Sequence, residues 1–576
     1  GEVILYGVSN MPVTDGWKEV GAHAQADALI AFGEDWREAV PSLEEGGMFL
    51  VGVPLIPQDP QAWREEIESA FGATAHLIDP EDASTWCFAF GWKGQKVEPL
   101  RRRVLMLTHQ RALEMLGGGE TQLFETLIAL RDEGVVADVS ASMRLPLEPY
   151  DLIHVFSLYH TDKVERLERT SKPIVASTIF RDNSAFYPVT VGAAVFRQAE
   201  EAQVERALQA WKEGRLRVEG IDPHSLDEPE QVRHVKKRII ERAQLLLPNC
   251  RWEQSSLRRY FGLGYKPTQV VPNAVSPERF IHATPDAFIE RFGLRDFVLC
   301  AARIEPFKNQ LILIWALRDT GIPLVLAGNI SDAEYGALCR RWAGENVRFV
   351  GDLSPDLLAS AYAAARVHAM PSWAETPGLT TLEAALAGCA VVVGNQGAER
   401  EYFGDFVYYC DPADVDSVRE AVLSAWKDND TTRREAFREY ILQHYTWANA
   451  AQITAGAYEQ VLRGQRIILA MPDWADVSTW QPLVKQYLQE HQPGDGWILQ
   501  IYAGGLNAFD AESAYNLLAQ YIASLGYSPD HCADIEVIDE LPENAYGRVV
   551  LTGGRYDSVL QTRYGARCEH LRKQAA

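Results

Sequence analysis

Along most of the chain, short apolar runs alternate with amphipathic stretches, a pattern that predicts βαβ units stacked over parallel sheets. The strands predicted in a first series are 104–108, 135–140, 152–157, 173–178, 243–248 and 268–271. Those predicted in a second series are 297–302, 323–327, 347–350, 367–370, 390–393 and 406–409. Helical stretches separate the runs; in 121–133, Leu123, Phe124, Leu127 and Leu130 recur at helical spacing. The pattern therefore predicts an α/β protein with two doubly wound, Rossmann-like domains that face a cleft.

Smaller α/β segments are predicted at both ends of this core. Strands are expected at 28–32 and 48–51 near the beginning, and at 466–471 and 497–502, with a helix at 480–491, near the end. We divide the chain into a partial α/β module (1–98), a first domain (101–285), a second domain (286–440), a crossover helix (441–464) and an accessory Rossmann-like module (465–576). Residues 1–98 hold too few strands for a complete sheet, so we expect them to pack on the core or on the accessory module.

Composition narrows the choice of partner. The 576 residues include 55 Lys and Arg against 79 Asp and Glu, a net charge of −24. Such a surface repels phosphate backbones and disfavours nucleic acid as a partner. The eight cysteines show no metal-binding spacing, and the longest apolar stretch, 384–393, is too short to span a bilayer. With no signal peptide evident, we expect a cytoplasmic protein without a transmembrane segment.

A glycine run, Gly117–Gly119, lies between a predicted strand and a predicted helix. Glycines at this place let backbone N–H groups approach an anion at the helix N-terminus. The run is not a P-loop, because no Lys follows the last glycine. A flexible turn without a ligand is the alternative.

A pair of cations, Arg303 and Lys308, brackets a turn at Pro306 directly after the first strand of the second domain. A guanidinium fork and an ammonium at one strand end can neutralise a diphosphate without a metal ion. A solvated turn is the alternative reading.

Two glutamates eight positions apart, Glu375 and Glu383, enclose a Pro377–Gly378 pair after the strand that ends at Met370. A helix that begins near Pro377 or Gly378 leaves its first N–H groups free to bind a ligand. A carboxylate beside such a helix end suits hydroxyl groups, so a sugar or a ribose is the expected partner.

Together these motifs resemble those of the retaining GT-B glycosyltransferases of family GT4. Glu375 and Glu383 match that family's E-x7-E motif, and Arg303 and Lys308 match its diphosphate-binding pair. Gly117–Gly119 resembles its donor-side glycine loop.

Further segments carry the resemblance over residues 101–463. The segment 271–275 is similar to the family's interdomain Pro-Asn-Gly-Val stretch, and 347–351 to its base-binding loop. Trp447 precedes the predicted helix that crosses back to the first domain.

The resemblance implies transfer of a sugar from a nucleoside-diphosphate donor, UDP by frequency in the family, to a hydroxyl of a glycan, lipid-linked or other acceptor. It implies retention at the anomeric carbon and no metal cofactor. The implied catalytic residues are Glu375, Arg303 and Lys308. The implied donor-binding residues are Gly118, Gly119, Arg303, Lys308, Phe349, Pro377, Gly378, Leu379, Thr380 and Glu383.

The acceptor side departs from the family pattern. Ile179 stands where the family has a His after the fourth strand of the first domain, and His154 or His160 is the candidate replacement. Both histidines also fit ordinary buried or surface positions. An inactive scaffold or a nucleotide-sugar-binding protein of the same shape is therefore the competing function.

Two other patterns carry less functional information. Asp414-Val415-Asp416 and Asp428-Asn429-Asp430 spell the DxD of metal-dependent transferases, but both are expected in helix caps or turns. Residues 1–98 weakly resemble the later half of a class I methyltransferase without its glycine-rich cofactor loop. The sequence indicates no oligomeric state.

Overall fold

The computed structural model describes a defined set of residues, and every structural statement below concerns these. They are 3–6, 26–32, 37, 40–41, 43–54, 59–79, 86–109, 117–158, 163–180, 186–216, 228–263, 266–376, 378–463, 466–493, 497–506, 509–528, 532–539, 541, 548–564 and 568–570. They gather in two compact units, 1–257 with 268–455 and 258–267 with 456–576.

The first sheet has ten strands, in the order β1-β2-β3-β5-β4-β7-β6-β8-β9-β10. They are β1 Val3–Tyr6, β2 Ala26–Phe32, β3 Leu43–Pro54, β4 His76–Asp79, β5 Trp86–Trp92, β6 Arg102–Leu107, β7 Val135–Ser140, β8 Leu152–Phe156, β9 Ile174–Ser177 and β10 Leu245–Leu247. The helices connecting them are α1 Pro60–Phe71, α2 Gly118–Ala129, α3 Val164–Arg169, α4 Phe186–Val195, α5 Glu201–Lys212 and α6 Glu230–Arg242, and α7 Arg251–Phe261 follows β10. β5 runs antiparallel to β3 and β4, and the other pairings are parallel.

The segment 1–98 continues the sheet of the first domain. β4 pairs with β7 through Ile78↔Val139 and Asp79↔Ser140. The predicted boundary near residue 99 thus falls inside one continuous sheet, and the strands of 1–98 extend it from the β7 edge. The pairing of β4 with β7 agrees with the expectation that residues 1–98 pack on the core.

A buried polar network ties the same segment to β7. The Arg64 guanidinium of α1 forms an ion pair with the Asp138 carboxylate, and both side chains are 1% exposed. Asp138 also accepts hydrogen bonds from the Tyr150 hydroxyl (2.7 Å) and the Leu77 N–H (2.7 Å). The buried Asp138 carboxylate can stay charged here because each of its oxygens accepts a hydrogen bond.

The second sheet has six parallel strands, in the order β13-β12-β11-β14-β15-β16. They are β11 Val298–Ala301, β12 Leu324–Ala327, β13 Val347–Gly351, β14 Val367–Met370, β15 Ala390–Gly394 and β16 Tyr408–Cys410. The helices around them are α8 Glu278–Ile281, α9 Asp286–Phe292, α10 Gln310–Leu317, α11 Ala333–Trp342, α12 Pro355–Ala364, α13 Leu379–Leu386, α14 Glu399–Phe403, α15 Val415–Lys427, α16 Thr431–His444 and α17 Trp447–Arg463.

The strand order reverses between β11 and β14. This is the order of a doubly wound dinucleotide-type domain, in which ligands bind at the carboxyl ends of the two central strands. β11 and β14 are buried along their whole length because helices cover both faces of the sheet. The predicted Rossmann-like second domain is confirmed.

The helical pair α4–α5 departs from the predicted domain boundary. It lies between β9 and β10 in the sequence, but its buried residues Val195, Phe196 and Val204 belong to the core around α10 and β11–β14. The Trp342 Nε1 donates to the Phe196 carbonyl (2.8 Å). Part of the predicted first domain, 101–285, therefore packs on the second.

One predicted strand is wrong. Residues 268–271 were predicted to form a strand, but the pairing is a single bridge between Thr268 and Leu246. Pro267 precedes the bridge and has no N–H to donate to a ladder, so the pairing begins no earlier.

The unit at the end of the chain holds a five-stranded parallel sheet, in the order β19-β18-β17-β20-β21. The strands are β17 Arg466–Ala470, β18 Trp497–Tyr502, β19 Ile535–Ile538, β20 Arg548–Leu551 and β21 Cys568–His570. The helices are α18 Gln481–Glu490, α19 Ala511–Ser524 and α20 Asp557–Tyr564. This topology is Rossmann-like, in agreement with the sequence-based expectation.

Candidate donor-sugar site

The centre of the candidate site is an ion pair between Lys308 and Glu375. The Lys308 Nζ lies 2.5 Å from the Glu375 Oε1, and the two side chains are 18% and 15% exposed. Lys308 ends a short 3₁₀ helix, 306–308, after β11, and Glu375 follows β14. The structure thus joins two residues 67 positions apart at the point where the strand order reverses.

The backbone around this ion pair is fixed by Asn309. Its side chain is buried, and its Nδ2 donates to the carbonyls of Pro371 (3.1 Å) and Pro412 (2.8 Å). Asn309 has a left-handed φ of 59°, a conformation that Asn adopts more readily than most residues. The loops after β11, β14 and β16 are therefore held together by one amide.

Arg303 lies on the same turn as Lys308 but is more open to solvent. Its side chain is 52% exposed, and its guanidinium has a long contact of 3.4 Å with the Glu305 carboxylate. A cavity of about 530 Å³ adjoins it, walled by the 303–307 turn, the start of α11 and one face of α4. Arg303 is therefore placed to contact an anion bound beside this turn.

α13 begins at Leu379 with Gly378 as its N-cap residue. Gly378 has φ 85° and provides no capping side chain, and the Thr381 N–H donates to the Gly378 carbonyl at 3.0 Å, so the N–H groups of Leu379 and Thr380 can point to a ligand. Its neighbour Pro377, also a predicted donor-binding residue, lies outside the described residues. Leu379 and Thr380, the first two helical residues, are partly exposed at this helix end.

Glu383 lies a little over one turn inside α13, as the sequence predicts. The Tyr362 hydroxyl donates to its Oε2 at 3.0 Å. Burial raises the pKa of the Glu383 carboxyl to about 7. The Glu383 carboxyl is therefore mostly ionised only above neutral pH, where it is the better acceptor for hydroxyl groups.

The glycine loop of the first domain reaches the beginning of α13. A Cβ atom on Gly118 would lie 3.9 Å from the Leu379 Cδ1, and one on Gly119 would lie 3.7 Å from the Ile179 Cδ1. The structure therefore brings Gly118 to the first residue of α13 and Gly119 to Ile179 of the first domain.

Phe349 is a predicted site residue for which the structure shows no contact with the Lys308–Glu375 pair. It lies within β13, and its ring packs on the buried second-domain cluster. The Arg340 guanidinium lies 4.9 Å from the centre of that ring. A base-contacting role for Phe349 stays a prediction without a supporting contact.

Of the two histidines proposed for the acceptor side, the structure describes His154, which is buried in the sheet of the first domain and does not fill the missing position. His154 is 1% exposed and its Nε2 lies 2.9 Å from the Ser177 Oγ, and burial lowers its pKa to about 3. His160 lies outside the described residues. Ile179 itself has a left-handed φ of 41°, which is unusual for a β-branched residue.

Buried Glu253 holds the strained loop that carries Ile179. Its carboxylate accepts hydrogen bonds from the Thr178 hydroxyl, from the Phe180 N–H (2.7 Å) and from the Asn249 N–H (2.7 Å). Burial raises its pKa to about 7. This conformation is specified by a residue of α7, far away in the sequence.

Sequence reasoning missed an ionisable pair at the glycine loop. The His109 Nε2 lies 2.7 Å from the Glu120 Oε1, and the Glu120 Oε2 accepts from the Gly117 N–H at 2.8 Å. Glu120 is the third residue of α2, so the spacing Gly117-x-x-Glu120 is the capping-box signal that could have revealed it.

The two DxD sequences are used as helix caps. Asp414 caps α15 and pairs with Lys212 at 2.8 Å, and Asp416 also contacts Lys212 at 3.2 Å. Asp428 pairs with Arg433 at 2.6 Å, and Asp430 caps α16. Among the residues that the structure describes, no group of three His, Cys, Asp or Glu side chains is arranged to hold a metal ion.

A second buried glutamate, Glu399, lies behind the loop of Glu375. Its Oε2 accepts from the Gly397 N–H at 2.8 Å, and within the described part of the chain its Oε1 has no hydrogen-bond partner. Burial raises the pKa of Glu399 from an ordinary 4.5 to about 8. Folded protein therefore binds more protons than unfolded protein between pH 4.5 and 8, so this group costs increasing stability as the pH rises through that range.

We expect Glu399→Gln to stabilise the protein, and the gain should grow with pH up to about pH 8. The slope of the difference should not exceed about 1.4 kcal/mol per pH unit. Urea denaturation of both proteins at pH 5, 6, 7 and 8 measures it. Glu420→Gln, at an exposed position of α15, is the matched control and should show a flat difference. A difference that shrinks as the pH rises would contradict the assigned burial of the Glu399 charge.

Comparison with known proteins finds a family match within the second domain. Residues 287–444 match the model of the family described as glycosyl transferases group 1. They include all of β11–β16 and the Arg303, Lys308, Glu375 and Glu383 side chains.

The chain is also similar to named glycosyltransferases. O-antigen chain mannosyltransferase B of Escherichia coli is 28% identical over 250 residues, which cover 40% of this chain and 65% of the relative. D-inositol 3-phosphate glycosyltransferase of Geodermatophilus obscurus is 28% identical over 286 residues, covering 43% and 62%. The chain thus spans slightly under two thirds of the length of these relatives.

Among solved structures, sucrose-phosphate synthase from Thermosynechococcus elongatus aligns with this chain with a TM-score of 0.49 and 17% identity. The alignment covers 62% of this chain and 99% of that one.

None of the described helices has the length and apolar character required to cross a bilayer.

Proposed function

We propose that the chain is a retaining hexosyltransferase that moves a sugar from a nucleoside-diphosphate donor to an acceptor hydroxyl. The observation that carries the proposal is the convergence of Lys308, Glu375 and the uncapped start of α13 where the strand order of the second domain reverses. A scaffold protein would not need Lys308, Glu375 and the start of α13 to lie together.

The electrostatics of the site suit departure of a diphosphate. Negative charge grows on the leaving diphosphate as the glycosidic bond breaks, and fixed cations and N–H groups stabilise it without a metal ion. Lys308 has three ammonium protons, so it can donate to Glu375 and to a phosphate oxygen together. Arg303 adds a guanidinium fork from the same turn, and the first N–H groups of α13 add partial positive charge.

The carboxylates suit the hydroxyl groups of a sugar nucleotide. Glu375, paired with Lys308, is assigned to the donor sugar near the reacting carbon. Glu383, deeper along α13, is assigned to the ribose hydroxyls. The names of the relatives, a mannosyltransferase and an inositol-phosphate glycosyltransferase, support glycosyl transfer. UDP is the nucleotide to test first, by its frequency in the family, and a glycan or a lipid-linked sugar is the class of acceptor.

The function is tested by incubating the protein with UDP-, GDP- and ADP-sugars and measuring the nucleoside diphosphate released, with and without a chelator. We expect turnover with one nucleotide class, unaffected by the chelator because the cations are side chains. Binding of a nucleotide with no turnover of any donor would favour the alternative, a nucleotide-sugar-binding scaffold.

We expect Glu383→Ala to weaken donor binding more than it slows turnover. Loss of a charged acceptor for two hydroxyl groups costs about 1.5–3 kcal/mol, so the donor KM should rise by about 10- to 100-fold. Steady-state kinetics with a varied donor measure the change, and Glu420→Ala at an exposed position is the control. A fall in kcat with an unchanged donor KM would remove Glu383 from the ribose-binding role.

A further inference from the structure

A small aromatic cluster lies directly behind the Lys308–Glu375 pair. Its buried members are Val189 of α4, Phe307 and Trp373, with Trp211 of α5 and Ala413 packed against them. Phe307 immediately precedes Lys308, and Trp373 lies two residues before Glu375. The two residues of the ion pair therefore extend from the same small core.

The two loops are joined to each other through this cluster. The Trp373 N–H donates to the Phe307 carbonyl at 3.1 Å, which links the loop after β14 to the turn after β11. A shift of either aromatic ring would move a backbone segment that bears one member of the ion pair.

The other side of the cluster comes from α4 and α5, which precede β10 in the chain. The Trp211 and Trp373 rings are 5.6 Å apart, inclined at 43°. Gly192 of α4 lies between them: a Cβ there would be 2.9 Å from the Trp211 Cη2 and 3.3 Å from the Trp373 Cζ2. α4 can approach the two rings this closely because position 192 has no side chain.

Independent contacts fix α4 and α5 on the second domain. At one end, the Arg341 guanidinium donates to the Ala199 carbonyl (2.7 Å), and the Arg197 side chain pairs with Glu334 (2.9 Å). At the other end, Lys212 pairs with Asp414 at 2.8 Å. The helices are thus anchored on both sides of Trp211, and α4 also walls the cavity beside Arg303.

We propose that Trp211 is a positioning residue for the Lys308–Glu375 pair, acting through Trp373 and Phe307, and that α4–α5 is a structural part of the donor site. The proposal rests on the proposed transferase function. Trp211 supports the backbone of both loops, so its loss displaces the Lys308 ammonium relative to the diphosphate. Small displacements of catalytic groups reduce transition-state stabilisation more than ground-state binding.

The test compares two variants with a matched control. Trp211→Ala should lower kcat by about tenfold or more with a smaller change in the donor KM, because misplacement of about 1 Å has effects of this order. Trp211→Phe should restore most of the kcat. The control is Trp426→Ala, since Trp426 packs on the same second-domain core from α15 but does not belong to the cluster behind the pair.

Gly192→Ala keeps the inference testable if Trp211→Ala does not fold. Alanine is favourable within a helix, so the added methyl group should press on Trp211 and Trp373 without unfolding α4. We expect a lower kcat in this variant as well. Hydrogen exchange of peptides spanning 306–310 and 371–376 should become faster in Gly192→Ala and Trp211→Ala but not in Trp426→Ala.

The outcomes separate this inference from the proposed function. If the wild-type protein turns over a donor and Trp211→Ala and Gly192→Ala keep the wild-type kcat, the positioning role is overturned. If the wild-type protein turns over no donor, the transferase function fails, and the exchange measurement still decides whether Trp211 holds the two loops. Unchanged exchange in both peptides would overturn that support.

Discussion

Replacement of Lys308 by Met should lower kcat by about 10²–10³-fold, because loss of one fixed donor to a developing anion costs about 2.7–4 kcal/mol. Methionine keeps most of the length of the side chain, so the change removes the charge with little loss of packing. The donor KM should change less, since the cation acts most strongly on charge that grows during bond cleavage. Steady-state kinetics on the most active donor measure both quantities.

Lys237→Met is the matched control for this variant. Lys237 lies on α6, where its side chain is 41% exposed and its Nζ lies 4.0 Å from the Glu241 carboxylate. Its loss should leave kcat and KM at wild-type values. Small and equal effects of Lys308→Met and Glu383→Ala would refute the division of roles between the diphosphate cation and the ribose carboxylate.

Replacement of Arg64 by Met should destabilise the protein by about 3–5 kcal/mol, because it leaves the Asp138 carboxylate buried without its cation. Asp138 would keep its hydrogen bonds from Tyr150 and Leu77, which offset only part of the cost of the buried charge. Urea denaturation followed by tryptophan fluorescence measures the loss. A second change, Asp138→Asn in the Arg64→Met background, should recover part of the stability.

Arg238→Ala provides a comparison with an ion pair at the surface. Arg238 and Glu168 form a hydrogen-bonded pair, but the two side chains are 31% and 37% exposed. Removal of the Arg238 side chain should leave the urea midpoint of unfolding nearly unchanged. If Arg64→Met were as mild as Arg238→Ala, the link between the 1–98 segment and β7 would not depend on the buried pair.

The strands and the donor-side motifs could be read from the sequence because their signals are local. β11 and β14 are continuous apolar runs, since both faces of the sheet are covered, and each is followed by the polar residues of the site. Glu375 was placed correctly in the loop before a helix, and Glu383 over one turn inside it, because the sequence Pro377-Gly378 marks a helix start whatever the tertiary context. Lys308 follows a strand by only a few residues, so its position at the sheet edge was also predictable.

The parts that the sequence did not predict depend on distant contacts. The docking of α4–α5 on the second domain rests on Trp211, Phe196 and Gly192, whose partners lie more than 100 residues away. The continuation of the first sheet into 1–98 depends on the pairing of β4 with β7, which no local pattern encodes. Ile179 acquires its left-handed conformation from Glu253, an interaction that spacing along the chain does not reveal.

The most direct test of the donor site measures nucleotide binding and donor turnover on the same samples of wild-type protein and Lys308→Met. Calorimetric titration with UDP, GDP and ADP identifies the base, and release of that nucleoside diphosphate from its sugar conjugates gives the turnover. We predict that the wild-type protein binds one nucleotide and turns over its sugar conjugate, whereas Lys308→Met binds the nucleotide but loses most of the turnover. Nucleotide binding by the wild-type protein without turnover of any sugar conjugate would contradict the assignment of these residues to glycosyl transfer.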